Sequence, residues 1–293
     1  MTIGWVGTKG TALLQTVDGN PTLPVNNARG TLRVNPSLGL VRLRCNCGSS
    51  IYHSLQTSLE KRFSRDFSVA AHYTWSAFID DASDVFNASD EGEVALAQDW
   101  LNRRAERGRS AYDRPHRLSV NGVIEVPILR QQTSLLGKFL GGWQISGFLS
   151  LQSGAPFSPL AGVDPGFRVQ GWRDNPIRPN LNTTLDLSRM SVEAIIRAGG
   201  RSLFSPVTAA NPIGNAGRNI LRADGINNVD LGINKNLKLA DENRLQFRAE
   251  FYNLLNSRDF GIPAASISSN DFLNQWNTNG GARRIVVGVR YVF

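Results

Sequence analysis

The feature that most constrains this chain is a period of two in its apolar residues, repeated in segment after segment of a sequence that contains no run of about 18 apolar residues. In 243–255, Leu245, Phe247, Ala249 and Phe251 fall on one face, and Arg244, Gln246, Arg248 and Glu250 on the other. In 52–63, Leu55, Leu59 and Phe63 oppose Gln56, Ser58, Glu60 and Arg62. In 66–79, Phe67, Val69, Ala71, Tyr73 and Trp75 oppose Ser68, Ala70, His72, Thr74 and Ser76. Further strands are expected at 116–128, 142–153, 228–239 and 283–293, and a shorter one at 2–8. A membrane-crossing helix is excluded, but a strand that crosses in about ten residues with every second one apolar is not.

The connections alternate between short and long. Those at 64–66 and 240–242 are tight, and 126–142 is modest, whereas 9–50, 80–115, 154–227 and 256–282 are large. Long structureless loops argue against a compact soluble domain, and they suit the outer side of an outer-membrane barrel with short periplasmic turns. Segments 92–107 and 191–198 read as short helices within those loops. A soluble sandwich also alternates. Here, however, the polar face carries charges deep inside strands, and Phe63, Phe67, Trp75, Trp143, Tyr291 and Phe293 sit near strand ends, as interface girdles require. The fold class expected is therefore all-β: an antiparallel transmembrane β-barrel segment with long extracellular loops.

The charge of +8, from 32 basic and 24 acidic residues, is dispersed except for a cluster at 103–117. No nucleic-acid recognition motif accompanies it, so nucleic acid is not an expected partner. Cys45 and Cys47 flank a single residue; the spacing is too tight for an easy disulfide, and they read as incidental loop residues. The chain opens without a basic leader or an apolar core of a signal peptide, which reads as a chain that has lost its beginning.

The last strand runs Ile285-Val286-Val287-Gly288-Val289-Arg290-Tyr291-Val292-Phe293. Its terminal aromatic, with Val289 and Tyr291 on the same face, is similar to the C-terminal signal by which outer-membrane barrels engage their assembly machinery. Other motifs follow in order: Glu60-Lys61-Arg62-Phe63, Tyr73-Thr74-Trp75-Ser76, Asp113-Arg114-Pro115-His116-Arg117, Gly142-Trp143-Gln144, Ser153-Gly154-Ala155-Pro156-Phe157, Gly217-Arg218-Asn219, and Arg248-Ala249-Glu250-Phe251-Tyr252-Asn253. In order and spacing they resemble the C-terminal half of the barrel of TonB-dependent receptors, in particular the Oar-like group with a carboxypeptidase-regulatory-like domain.

That resemblance implies a partial barrel over 1–293, about eight strands of a wall that in such receptors reaches about 22, with no plug domain and no signal peptide. It implies a place in the outer membrane of a Gram-negative-type bacterium and an intact parent that imports a ligand. The implied partners are outer-membrane lipid and lipopolysaccharide, the barrel-assembly machinery, the plug domain and the remaining strands of the parent, and TonB only through the missing N-terminal part. Lumen-facing Glu60, Arg62, Gln246, Arg248 and Glu250 would meet the plug or line its channel. The alternative is a stand-alone small barrel with a structural or adhesive role.

Catalytic readings fail on inventory. His53, His72 and His116 lack metal-ligand spacing, and His72 reads as a lumen-facing polar residue. No nucleophile elbow or phosphate loop is present. Neither catalytic residues, nor a cofactor, nor a resident metal is expected. The acidic run Asp80, Asp81, Asp84, Asp90, Glu91 and Glu93 reads as a solvated loop rather than a calcium site. The basic cluster Arg103, Arg104, Arg107, Arg109, Arg114 and Arg117 likewise reads as solvated rather than as a lipopolysaccharide site.

Overall fold

The computed structural model describes residues 1–22, 33–64, 66–84, 96–165, 175–239, 243–275 and 280–293. Its framework is one antiparallel sheet of long strands in chain order: β1 (Thr2–Asp18), β2 (Arg42–Ser64), β3 (Phe67–Asp80), β4 (His116–Glu125), β5 (Trp143–Gln152), β6 (Ile226–Lys238), β7 (Arg244–Tyr252) and β8 (Arg284–Val292). A short strand, Gly108–Arg109, returns from the β3–β4 loop and continues the ladder on the end of β3. The connections at 65–66, 126–142 and 239–243 leave one end of the sheet, and those at 19–41, 81–115, 153–225 and 253–283 leave the other.

The pairing register carries one chemistry around each face. Leu59, Ala71, Val120, Leu149 and Val229 stand in a row across β2 to β6. One residue along, Ser58, His72, Ser119, Ser150 and Asn228 form the corresponding row on the opposite face. On β7 and β8, Phe247 faces Val289 and Leu245 faces Tyr291 on the apolar side. A one-residue slip anywhere would exchange the faces of a whole strand, so the two chemistries specify the register.

The apolar face is open: Trp5 is 68% exposed, Trp75 57% and Val287 78%. An exposed apolar belt of this extent is the surface a membrane wall presents to lipid. Phe67 and Trp75 on β3 lie about 27 Å apart along the strand, or roughly 20 Å in depth at the usual tilt, close to the ~25 Å apolar band of such walls. The main buried core lies outside the wall. Phe157, Leu187, Val192, Ile195, Phe204 and Leu221 in 153–225 pack with Ile267, Phe272 and Leu273 in 253–283.

Four expectations change. Segment 9–50 is not all loop, because β1 runs to Asp18 and β2 starts at Arg42. Irregularities between Gly10 and Leu14, with Ala12 at φ 55, break the alternation there, so the strands continue without a readable period. Cys45 and Cys47 therefore lie within β2, and the structure joins them in a disulfide. Cys47 is the extra residue of a bulge, since Leu13 pairs with Gly48 and Leu14 with Asn46, and this brings the two Cα atoms to 5.2 Å, within disulfide range. The modest link 126–142 contains a helix, α1 (Leu135–Leu140), capped by Ser134. Of the two expected loop helices, the one at 191–198 is α2 (Val192–Arg197), capped by Ser191 with Val192 and Ile195 buried. The other is reduced to 3₁₀ turns at Trp100–Glu106, broken at Asn102, and residues 92–95 lie outside the described residues.

The two faces predict opposite tolerance to charge. Val120→Arg, on the apolar row, is expected to cost about 2–4 kcal/mol of folding free energy in lipid, and Asn121→Arg, one residue along on the polar face, within about 0.5 kcal/mol. Urea titration of the intact protein refolded into vesicles measures both, and equal costs would contradict the assignment of faces.

Candidate functional site

The predicted closing signal occupies the apolar face at the short-turn end. Val289 and Tyr291 stand opposite Phe247 and Leu245, and the rings of Tyr291 and Phe293 stack at 5.9 Å between centroids. The predicted lumen-facing residues fall into separate groups. Gln246, Arg248 and Glu250 follow one another on the polar face of β7. Arg248 Nε donates to Glu250 Oε1 at 2.7 Å, Tyr252 Oη donates to Glu250 Oε2 at 3.0 Å, and Gln246 Nε2 donates to Asn236 Oδ1 at 3.0 Å. Side chains at i and i+2 share a strand face, so this spacing alone places the Arg248–Glu250 pair.

Glu60 and Arg62 are on β2, five strand spacings or roughly 24 Å away, where they line a shallow trough with Ser68, Asn121 and Ser146. His72 takes its place in the polar row between Ser58 and Ser119. The other histidines make aromatic contacts. His53 stacks on Trp5 at 5.5 Å, and His116 Nδ1 lies 2.8 Å from Tyr73 Oη.

Beyond the wall, at the loop end, the structure brings Asp80, Asp113, Arg218 and Asn219 together with Glu106, Arg178 and Arg222, three residues that belong to none of the sequence motifs. Asp80, the last residue of β3, is 2% exposed and holds the guanidinium of Arg218, whose Nη2 also donates to the Asp80 carbonyl at 2.8 Å. Arg218 Nε donates to the Glu106 carbonyl at 2.7 Å. The Glu106 carboxylate accepts two bonds from Arg178, at 2.8 and 3.1 Å, with both side chains 3% exposed. Arg178 Nε donates to the Ala216 carbonyl at 2.8 Å. Arg222 Nη2 donates to Asp113 Oδ2 at 2.8 Å, and Phe78 N donates to Asp113 Oδ1 at the same distance. Asn219, in the left-handed region at φ 55, donates to the Arg109 carbonyl at 2.7 Å. Gly108 makes room for this crossing, since a Cβ there would meet the Arg218 carbonyl oxygen at 2.6 Å.

These contacts correct the solvated-loop reading for part of each charged cluster, namely Asp80, Asp81, Arg103, Arg109 and Arg114. Asp80 is buried and paired. Asp81 accepts from Ser49 N at 2.7 Å and pairs with Arg103 at 3.4 Å. Arg103 also donates to Gln15 Oε1 at 3.2 Å and to the Cys47 carbonyl, so it clamps the β3–β4 loop to the extended ends of β1 and β2. Arg109 and Arg114 likewise reach Asp113 and its carbonyl, whereas Arg104, Arg107 and Arg117 are exposed. Asp90, Glu91 and Glu93 lie outside the described residues. Among the described residues no cluster of acidic, His or Cys side chains suits a metal ion. The arrangement is a preorganised loop body: several distant segments are held at the mouth of the wall by charge-assisted bonds, and most of its buried charges are met by opposite ones.

A family model described as an outer membrane beta barrel domain matches residues 1–286. No curated protein matches the chain.

Arg178→Ala would strand the buried Glu106 carboxylate, at an expected cost of about 3–5 kcal/mol to the loop body, whereas Arg178→Met combined with Glu106→Leu recovers much of it. Limited proteolysis within 153–225 reads the difference while strand protection reports on the wall. Equal protection in both variants and the parent would remove the ion pair from this role.

Proposed function

Because the chain belongs to the outer membrane beta barrel domain family and resides in the outer membrane, we propose that its sheet is part of the wall of a larger TonB-dependent receptor, the intact form of which imports a ligand. The observation that carries this reading is the pair of open edges. Among the described residues the sheet order runs from β1 to β8 without returning, so β1 pairs only with β2 and β8 only with β7. Hydrocarbon supplies no partner to an edge N–H or C=O, so the edges need further strands to close the wall. The resemblance in motif order points to a receptor barrel as their source.

In this reading the short turns face the periplasm and the loop body faces outward. Glu60, Arg62, Gln246, Arg248 and Glu250 look into the lumen, where a plug would meet them. Val289 and Tyr291 on β8, with Phe293 just beyond it, are the residues that the assembly machinery engages. The loop body, held rigid by Arg178, Arg218 and Arg222, supplies one side of a ligand-binding mouth. The protein acts by binding and passage, with no catalytic step.

The test is the size and partner of the protein in its own outer membrane. A heat-modifiable band well above the 32.1 kDa of this chain is expected, together with a crosslink to TonB in living cells. A folded band at 32.1 kDa would favour the stand-alone barrel with a structural or adhesive role instead. A larger barrel without the crosslink would keep the wall and overturn the import reading.

A further inference from the structure

Helix α1 lies on the lipid side of the wall. Its end is held by two residues of the apolar face, Lys235 on β6 and Trp143 on β5, which pair with each other across the strands. Lys235 Nζ donates to the carbonyls of Lys138 at 2.6 Å, Phe139 at 3.0 Å and Gly141, and lies 5.1 Å from the Trp143 ring. Trp143 Nε1 donates to the Phe139 carbonyl at 3.1 Å. Carbonyl groups at a helix end therefore compensate a cation that would otherwise be costly on a lipid face. Ahead of α1, Gln132 is buried and spans to β6, donating to the Asn236 carbonyl at 2.8 Å and accepting from Lys238 N at 2.9 Å. The helix is stitched to the wall before and after, yet Leu135 is 88% exposed and Phe139 73%.

Between α1 and the wall runs a groove of about 580 Å³ with Leu135 and Phe139 on one side and Ile233, Phe247, Val287 and Val289 on the other. Lys138 stands on its lining, and its ammonium makes no ion pair among the described residues. With the short turns toward the periplasm, this short apolar helix with its single Lys138 lies at the headgroup level of the periplasmic leaflet, beside an interfacial tryptophan.

We propose that this groove is a binding site for one phospholipid of the periplasmic leaflet, with an acyl chain along Phe247, Val287 and Val289 and an anionic headgroup at Lys138. The apolar walls open toward lipid, and the cation stands where the headgroups lie, so chain and charge are matched at once. The proposal rests on the outer-membrane location of the wall and is independent of the import reading.

The test is native mass spectrometry of the intact protein in detergent, with phosphatidylglycerol added and phosphatidylethanolamine as the comparator. The parent is expected to retain one phosphatidylglycerol, Lys138→Gln to lower its preference for that lipid about five-fold, and Ala249→Trp, which fills the groove from β7, to abolish retention while heat-modifiable migration is unchanged. Equal retention by the parent and Lys138→Gln would overturn the site even if Ala249→Trp failed to fold. Retention of lipopolysaccharide in place of phospholipid, or occupation by a second copy of the chain, would also overturn it.

Discussion

Every backbone N–H and C=O within a bilayer must find a partner inside the protein, and the rest of this structure depends on that requirement. It makes each wall strand pair with its neighbours over the spanning length. Pairing fixes the strand geometry, and the geometry divides side chains between two faces. Lipid on one side and a polar interior on the other then select Leu59, Ala71, Val120, Leu149 and Val229 for one row and Ser58, His72, Ser119, Ser150 and Asn228 for the next. The open outer edges of β1 and β8 are the same requirement left unmet within this sheet.

A wall built this way has no dry core of its own, so the packing found in soluble domains moves to the loops. The cluster around Phe157, Ile195 and Leu221 does for the loop body what a core does for a domain. The ion pairs of Asp80, Glu106 and Asp113 then join that body to the end of β3 and to the loop that follows it. These pairs sit beyond the apolar band, where water competes for any charge that is not enclosed. Their burial gives the loop body definition more than stability, because a broken pair is costly while a matched one is close to neutral against an apolar replacement. The long ends of β1 and β2 serve as its lateral support through Arg103.

The legibility of the sequence follows this division. Strands whose two faces meet different solvents, such as β3 and β7, alternate cleanly, and their bounds are close to those read from residues alone. Residues 10–18 and 42–50 carry polar side chains on both faces and a bulge, so their pairing left no period to read. Asp80 and Arg103 looked like members of solvated charge runs. Their partners, Arg218 and Gln15, are far away in sequence, and no local pattern announces such a pair. The pairing of Cys45 with Cys47 has no local signal for a related reason, since the bulge that brings their Cα atoms together depends on the register with β1. Helix α1 does carry a local signal, because Leu135, Leu136, Phe139 and Leu140 recur at helical spacing behind a serine cap.

The sequence by itself determined the wall: its strand type, the two faces, the rhythm of short turns and long loops, and an aromatic closing strand. It could do so because lipid and water act on each residue locally, and the period of two records their action directly. The tertiary structure alone decided where the loops go, which charges are buried, and that α1 folds back onto the lipid face. Those outcomes depend on contacts between residues up to 138 positions apart, as for Arg218 and Asp80, and complementarity at that range exists only once the chain is folded.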